Sequence, residues 1–212
     1  MGVITKGILG GFKGKVGTII GANWKGIDTI RSMPSSVANP RTPGQNLNRG
    51  KFKNIAVLAS LLLGTIIRPF WNGKNAKMSG YNSFIKRNVE KGATESGLVY
   101  DEIVMSNGSL EGLVGVDGAG ASGNTLMRIS FDDNSGNGNA LATDKVSAVV
   151  VNATTGQITS AIKSVDREVM QLDVPIDAVT GANVFHCYVF ASKLNDDSTA
   201  SLSSYFTKTI TA

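Results

Sequence analysis

The 212-residue sequence contains one histidine and one cysteine, and this scarcity excludes several kinds of site. A lone cysteine excludes a disulfide framework and a cysteine-rich zinc site, because both need several thiols. A lone histidine, His186, excludes a multi-histidine metal centre within one chain and leaves little room for histidine-based acid–base catalysis. We therefore expect a protein that is not an enzyme and that holds no cofactor and no metal ion.

Charged residues are also few, at 17% of the chain, and they are unevenly distributed. Residues 1–95 contain 15 lysines and arginines against three acidic residues, a net charge of +12, whereas residues 96–212 contain six against 13, a net charge of −7. Such asymmetry indicates two parts with different surroundings. We predict a basic, glycine-rich module over residues 1–95 that anchors the protein in an assembly, and an acidic module over residues 96–212.

Long hydrophobic runs are absent from the sequence. The most apolar stretch is residues 55–67, and about 20 apolar residues are needed to cross a bilayer. A secretory signal is not evident either, because Lys6 interrupts the apolar N-terminal segment. We expect a chain that is made in the cytoplasm without a signal peptide or a transmembrane segment. A peripheral membrane role stays open, since Lys51, Lys53 and Arg68 flank the apolar stretch.

Local patterns in the basic half predict a β-hairpin, an extended arm and two helices. β-prone residues on either side of Gly21-Ala22-Asn23 predict a hairpin over residues 15–31. Prolines at 34, 40 and 43 predict an extended arm, because proline disfavours helix at the residue before it. Thr42, Pro43 and Gln45 form a helix-start signal, and apolar residues at helical spacing follow as far as Pro69, where we expect the helix to end. The width of the apolar stripe predicts burial on more than one side, and a second helix is predicted over residues 78–90.

The acidic half has the pattern of a β-sandwich. Short β-prone runs alternate with turn signals, and seven strands are predicted, over residues 99–105, 126–131, 146–152, 157–162, 169–174, 184–191 and 203–210. Seven short strands in about 115 residues are typical of an antiparallel β-sandwich of immunoglobulin-like type. The predicted fold class is therefore α+β and mainly β. His186 and Cys187 are adjacent on one predicted strand, so we expect their side chains to point to opposite faces.

One turn in this half matches part of a calcium-binding loop. The matching residues are Asp133, Ser135, Asn137, Gly138 and Asp144. The last position carries Asp instead of the usual bidentate Glu, and no helices are predicted on either side. Asn and Gly are equally typical of a hairpin turn, so both interpretations stay open.

The basic residues of the first half are interleaved with aromatic residues. The candidate partner-binding residues are Lys13, Lys15, Trp24, Lys25, Arg31, Arg41, Arg49, Lys51 and Lys53. This mixture suits phosphate contacts and base stacking, and it equally suits contacts with other protein subunits. Motifs that read bases are absent, so any nucleic-acid binding is expected to be independent of sequence.

Three segments resemble a known family. They are Gly14-Lys15-Val16-Gly17-Thr18 with the run from Trp24 to Arg31, the arm Asn39-Pro40-Arg41-Thr42-Pro43-x-Gln45, and Gly80-Tyr81-Asn82-x-Phe84 with Asn88. Together they resemble an uncharacterised protein family of Bacteroidota and their bacteriophages, and they are similar to small proteins in phage structural modules. The resemblance covers the basic half well and the acidic half more weakly.

The resemblance implies a non-enzymatic structural protein of a bacteriophage virion, such as a minor capsid protein, a decoration protein or another assembly component. It implies other virion proteins as partners, in a homo- or hetero-oligomer, and it supplies no catalytic residues. Two alternatives remain from the residues themselves: a sequence-independent nucleic-acid-binding protein that uses residues 1–95, and a peripheral membrane component.

Overall fold

The computed structural model describes residues 3–4, 11–36, 38–72, 77–121, 125–179 and 181–211. Within these residues the chain is mainly β, as predicted, with three antiparallel sheets and a few helices. The strands are β1 (Val3–Ile4), β2 (Phe12–Val16), β3 (Ile19–Trp24), β4 (Ile27–Ser32), β5 (Val114–Ala121), β6 (Leu126–Asp132), β7 (Lys145–Asn152), β8 (Ile158–Asp166), β9 (Gln171–Pro175), β10 (Ala182–Lys193), β11 (Asp196–Ala200) and β12 (Ser204–Thr211). The α-helices are α1 (Pro43–Leu61), α2 (Arg68–Trp71) and α3 (Gly80–Asn88).

Two sheets form the C-terminal part and share one apolar core. In the larger sheet β10 is central: it pairs with β7 on one side and with β11 and β12 on the other, and β8 lies beyond β7. The smaller sheet has the order β5–β6–β9. Side chains from both sheets, among them Met127, Ile129, Cys187 and Val189, form one buried cluster. The two sheets therefore pack face to face, with alternate residues of their strands buried between them.

The helices cover the outer face of the larger sheet. Tyr188 and Phe190 of β10 point away from the inter-sheet core into a second cluster, which includes Phe70 and Phe84 from the helical segment. The rings of Phe70 and Phe190 meet edge to face, with their centroids 4.9 Å apart. The apolar run at residues 184–190 therefore lies in a central strand, because β10 is buried on both faces. This helix-facing core combines residues from both sides of the predicted boundary at 95/96, and the boundary itself stays a prediction.

Helix α1 begins where the sequence signal predicts it. The Oγ1 atom of Thr42 accepts a hydrogen bond from the backbone N–H of Gln45 at 3.4 Å. Pro43 occupies the first turn, where the N–H that proline lacks would have no partner within the helix. The arm that precedes the helix has no regular structure and is exposed at residues 33–36 and 38–42, as expected for a proline-rich connector.

The predicted end of this helix at Pro69 is wrong. The chain continues through a π-helical segment, Leu63–Ile67, into α2, and Pro69 lies in the first turn of α2. Proline fits there for the same reason as at the start of α1, so it does not break the chain of helical turns. Among the described residues no single helix has the length and hydropathy to cross a membrane. One pair of consecutive helical segments meets both criteria when the two are taken together, Pro43–Leu61 with Leu63–Trp71, and the chain bends by 72° between them.

The second predicted helix is confirmed as α3. The Oγ atom of Ser79 accepts a hydrogen bond from the N–H of Asn82 at 3.3 Å and caps the helix. Phe84 and Ile85 are buried in the helix-facing core, and Tyr81 packs against it.

The N-terminal strands form a four-stranded sheet in the order β1–β2–β3–β4, which extends the predicted hairpin. The predicted turn is wrong: Gly21 to Asn23 lie inside β3, and the turns are at Gly17–Thr18 and Lys25–Gly26. Glycine is needed at position 21 for space, since a Cβ atom there would lie 2.3 Å from the backbone oxygen of Phe12. Lys25 and Gly26 have φ values of 47° and 80°, which is the conformation of a two-residue hairpin turn.

The predicted strand over residues 99–105 is also wrong. This segment contains a short 3-10 helix, Tyr100–Glu102, followed by irregular chain. The buried side chain of Asn88 binds its backbone, in the way that a neighbouring strand would. Asn88 Oδ1 accepts a hydrogen bond from the N–H of Val104 at 2.8 Å, and Asn88 Nδ2 donates one to the carbonyl oxygen of Val104 at 3.1 Å. Ile103 and Met105 are therefore buried in the helix-facing core without strand pairing.

The other six predicted strands are present, as β6, β7, β8, β9, β10 and β12. Sequence patterns missed β5 and β11, because one is rich in glycine and the other is mostly polar. In β5, Gly118 lies against the ring of Phe206, so that a Cβ atom at this position would be 2.7 Å from the nearest ring carbon.

Candidate interaction surface

The N-terminal sheet is exposed to an unusual degree. Large apolar side chains that extend from it include Val16, Ile19, Trp24, Ile27 and Ile30, with exposed fractions between 39% for Ile27 and 69% for Ile30. Every residue of β4 is exposed. A small sheet is stabilised by a covered hydrophobic face or by packing against another element, and these apolar side chains have little such cover. Such exposed apolar clusters mark sites of interaction.

The strand register assigns cations and an aromatic ring to one side of this sheet, which we call the basic face. Lys15 lies opposite Ile20, and Ile20 lies opposite Arg31. Trp24 and Ile27 form a second pair on the same side, because side chains four residues apart on one strand share a face. Since neighbouring strands are about 4.8 Å apart, the Lys15 and Arg31 backbones are separated by about 10 Å. The basic face is open to solvent, with Trp24 58% exposed.

The opposite side of the sheet is partly covered by the chain itself. Phe12 lies over Gly21 on this side, and the backbone of Gly11 approaches the carboxylate of Asp28. The Nδ2 atom of Asn23 donates to Asp28 Oδ1 at 2.5 Å. The acidic group of the sheet therefore lies on this side, away from Lys15 and Arg31.

The structure brings together part of the predicted partner-binding set. Lys15, Trp24 and Arg31 share the basic face, and Lys13 is exposed on β2 nearby. Lys25 lies in the β3–β4 turn, where its Nζ atom donates to the carbonyl of Met78 at 2.8 Å. This contact ties the sheet to the segment that precedes α3.

The remaining predicted cations lie on the arm and on α1. Arg41 is exposed on the arm, and Lys53 is exposed on the helix. Arg49 donates from Nη2 to the side-chain oxygen of Asn39, and Lys51 donates from Nζ to the carbonyl of Glu90 at 3.1 Å. Arg49 and Lys51 therefore also hold the arm and the end of the α3 segment against α1.

Ion pairs between the described residues do not neutralise the positive charge of this half. Every ion pair between described residues lies in the C-terminal part, and none includes a cation from residues 11–91. The pairs are Arg128–Asp173, Lys145–Asp166, Lys163–Asp197, Arg167–Asp144, Lys193–Asp144 and Lys208–Asp117. Five carboxylates of the C-terminal part thus have cations nearby, whereas the described lysines and arginines of the N-terminal half face solvent or neutral acceptors.

Helix α1 has a second apolar side, which the width of its apolar stripe predicted to be buried. Ile55, Leu58 and Ala59 are buried, as predicted, but Phe52 and Leu61 are 53% and 62% exposed. The prediction that α1 is buried on more than one side is therefore wrong. The helix-facing core, which includes residues of α3, covers only one side of α1, and nothing in the sequence of the helix indicates which part of a wide apolar stripe will be covered.

The only histidine belongs to an aromatic cluster at the edge of the helix-facing core. The His186 ring stacks on Tyr100 with the centroids 4.0 Å apart, and its Nδ1 atom lies 2.8 Å from the hydroxyl of Tyr205. Burial lowers the pKa of His186 below its ordinary value, and the nearby Asp101 opposes the shift. Cys187 points to the opposite side, into the inter-sheet core, as predicted. Burial raises the pKa of its thiol to about 12, so it is not a nucleophile at neutral pH.

The segment with the calcium-loop pattern is tied to a buried arginine. The Arg167 side chain is 0% exposed and its Nη2 atom lies 3.5 Å from Oδ2 of Asp144, itself 1% exposed. Asp144 Oδ2 also accepts from the N–H of Leu141 at 2.8 Å, and Asp133 accepts from the N–H of Ser135 at 2.9 Å. Among the described residues no group of three or more His, Cys, Asp or Glu residues is arranged to hold a metal ion. These bonds shape a connection between β6 and β7, and because those strands lie in different sheets the hairpin-turn interpretation is wrong.

The fold and this surface define a class: a mainly β protein with two stacked sheets, a helical layer, and an exposed basic sheet at the N-terminal end. The chain belongs to DUF6266, a family of unknown function whose model matches residues 11–207. No curated protein matches the sequence. The family description names no role, so the links to Bacteroidota, bacteriophages and the virion stay predictions.

Proposed function

We propose that this protein is a non-enzymatic structural component of a bacteriophage virion, such as a minor capsid or decoration protein, and that its N-terminal half anchors it among other virion proteins. The exposed N-terminal sheet is the observation that carries the proposal. Its apolar side chains are about half exposed, and fully burying such a side chain contributes about 1.5–3 kcal/mol. A partner that covers the exposed part of each would gain about 1 kcal/mol per side chain.

The arm supports the same proposal. Its prolines favour extended chain, and at about 3.1 Å per residue the segment from residue 33 to residue 42 spans up to about 30 Å. The hydrogen bond from Arg49 to Asn39 keeps part of the arm against α1, so the arm offers a neighbouring subunit an exposed, extended chain beside that helix. The resemblance of the arm motif, Asn39 to Gln45, to phage structural modules supplies the assignment to a virion.

We further infer that the C-terminal part is an immunoglobulin-like sandwich. With β5, β6, β7, β8, β9, β10 and β12 lettered A to G, the sheets are A–B–E and G–F–C–D. Apart from the additional strand β11, which pairs with β10, this differs from the A–B–E–D and C–F–G sheets of a constant-type immunoglobulin domain in the sheet that the fourth strand joins. An experimental structure with a different strand order would contradict the inference. Such a sandwich would provide a rigid surface in a particle.

The proposal is tested by quantitative mass spectrometry of particles purified from the source host. We expect the protein at a fixed copy number per particle, and its absence at stoichiometric level would refute the proposal. The variant Ile30→Asp should lower incorporation, because it places a charge on the exposed sheet. Leu194→Asp is the matched control: Leu194 is 50% exposed in the β10–β11 turn, far along the chain from the sheet. The control should be incorporated normally.

A peripheral membrane role has support from the exposed side of α1. Phe52, Val57 and Leu61 are exposed there, and Arg49 and Lys53 are exposed on the same helix. Apolar and cationic residues on one exposed helix are typical of binding to anionic membranes. This role predicts co-sedimentation of the chain with vesicles of anionic lipid, and loss of that binding in Phe52→Asp. A chain that stays in the supernatant at low salt would refute it.

A further inference from the structure

The basic face combines three properties. It carries two cations that flank a half-buried apolar residue, Lys15 and Arg31 around Ile20. It carries an exposed aromatic ring, Trp24, on the same side. Among the described residues of the sheet it also lacks an acidic group, because Asp28 is bound by Asn23 on the other side.

The charges of the whole chain indicate what kind of partner fits this face. A second copy of the chain would have to offer its acidic sandwich, and five of the 13 carboxylates of that part already lie in ion pairs with cations of the same chain, so only part of its negative charge is open to the basic face. A contact with them would have to break or share those pairs. A polyanion brings charge that is not compensated by protein cations, and its phosphates release counterions when lysine and arginine bind them.

From this geometry we propose that the basic face binds single-stranded nucleic acid without sequence preference. Lys15 and Arg31 contact phosphates, and Trp24 stacks on a base. An exposed indole favours a single strand over a duplex, since the bases of a duplex are already stacked on each other. The hydrogen bond from Lys25 to Met78 holds the sheet against the body of the protein, so that the cations and the ring keep their relative positions. The proposal goes beyond the virion role and does not rest on it.

The test measures the affinity of the full chain for a fluorescent 20-nucleotide dT strand by anisotropy, at NaCl concentrations from 50 to 300 mM. Binding should weaken as salt rises. The slope of log affinity against log salt concentration is negative. The double variant Lys15→Gln/Arg31→Gln should reduce its magnitude by about 1.4, which is about 0.7 for each phosphate that the variant no longer neutralises. Trp24→Ala should weaken binding by about 5- to 150-fold with little change in that slope, and Trp24→Phe should retain most of the affinity.

The matched control is Lys145→Gln/Lys208→Gln, which makes the same change in net charge on the sandwich. Both lysines are paired there, with Asp166 and Asp117. The control should leave the slope unchanged. If it flattens the slope as much as the basic-face variant, binding is a property of the overall charge and the proposal is overturned.

Three further results would overturn it. The first is that the chain does not bind the dT strand at 50 mM NaCl. The second is that a duplex of equal length binds as tightly as the single strand and Trp24→Ala does not change the affinity. Alternatively, sedimentation would show self-association that the basic-face variants abolish, which would assign the face to a second copy. Incorporation into particles is measured separately, so failure of nucleic-acid binding leaves the virion proposal standing or falling on its own test.

Discussion

Replacement of Arg167 by methionine should destabilise this protein more than any exposed charge change. The guanidinium of Arg167 is completely buried, and three oxygen atoms besides Asp144 accept its hydrogen bonds. They are Asn134 Oδ1 at 2.6 Å, the Glu111 carbonyl at 2.9 Å and the Gly112 carbonyl at 3.3 Å. Methionine fills a similar volume but leaves these acceptors and a buried carboxylate without their donor.

The size of the effect follows from the carboxylate that remains. Removing one partner of a buried ion pair typically costs about 3–5 kcal/mol, because the other charge stays buried without compensation. Asp144 keeps the N–H of Leu141 at 2.8 Å and the ammonium of Lys193 at 4.0 Å. These two contacts favour the lower end of the range. We therefore expect Arg167→Met to lower the free energy of unfolding by about 3 kcal/mol.

Urea unfolding, followed by tryptophan fluorescence, measures this change. With an m-value of about 2 kcal/mol per M, the midpoint should fall by about 1.5 M. The double variant Arg167→Met/Asp144→Leu should recover part of the stability, since it removes the orphaned charge as well. Arg128→Met is the control: Arg128 forms a bidentate pair with Asp173 on the surface and should shift the midpoint much less. Equal shifts for Arg167→Met and Arg128→Met, or a shift below about 0.5 M for Arg167→Met, would refute the reasoning.

Three other predictions concern single side chains. Because the pKa of His186 is lowered in the folded chain, the unfolded chain binds a proton more readily, and stability should fall as pH drops from about 7 to about 5; His186→Phe should flatten this dependence in thermal melts. Gly118→Ala should lower the free energy of unfolding by about 1–3 kcal/mol in urea titrations, because its Cβ atom meets the ring of Phe206. The thiol of Cys187 should resist a thiol-labelling reagent in the folded chain and react fully in denaturant.

A specific experimental result would contradict each of these three predictions. A wild-type melting temperature that rises as the pH is lowered from 7 to 5 would contradict the assignment to His186. For Gly118, the comparison is Gly112→Ala, where nothing lies within 4 Å of an added Cβ atom; equal destabilisation in the two variants would contradict the packing argument. Labelling of Cys187 at the same rate with and without denaturant would contradict its burial.

The sequence by itself determined the local structure of this protein. The start of α1 needs only Thr42, Pro43 and Gln45, which lie within one turn of each other. The burial of β10 on both faces follows from its own apolar run, and the opposite directions of His186 and Cys187 follow from strand geometry. These features depend on neighbours in sequence, so a pattern is enough to predict them.

Only the tertiary structure decided features that depend on distant residues. The segment around Val104 has a β-prone sequence, yet the amide of Asn88, 16 residues away, binds its backbone and removes it from any sheet. Pro69 is tolerated because the chain enters a new helix at that point, and Leu61 is exposed because the helix-facing core covers one side of α1 only.

The candidate surface shows the same division. The excess of positive charge in the first half is visible in the sequence, and the predicted set includes Lys15, Trp24 and Arg31. Their placement on one side of a sheet depends on the turns at Gly17–Thr18 and Lys25–Gly26, which set the register. Five carboxylates of the C-terminal part are paired within the chain, while the cations of the N-terminal sheet are not, and which surfaces meet in three dimensions decides this.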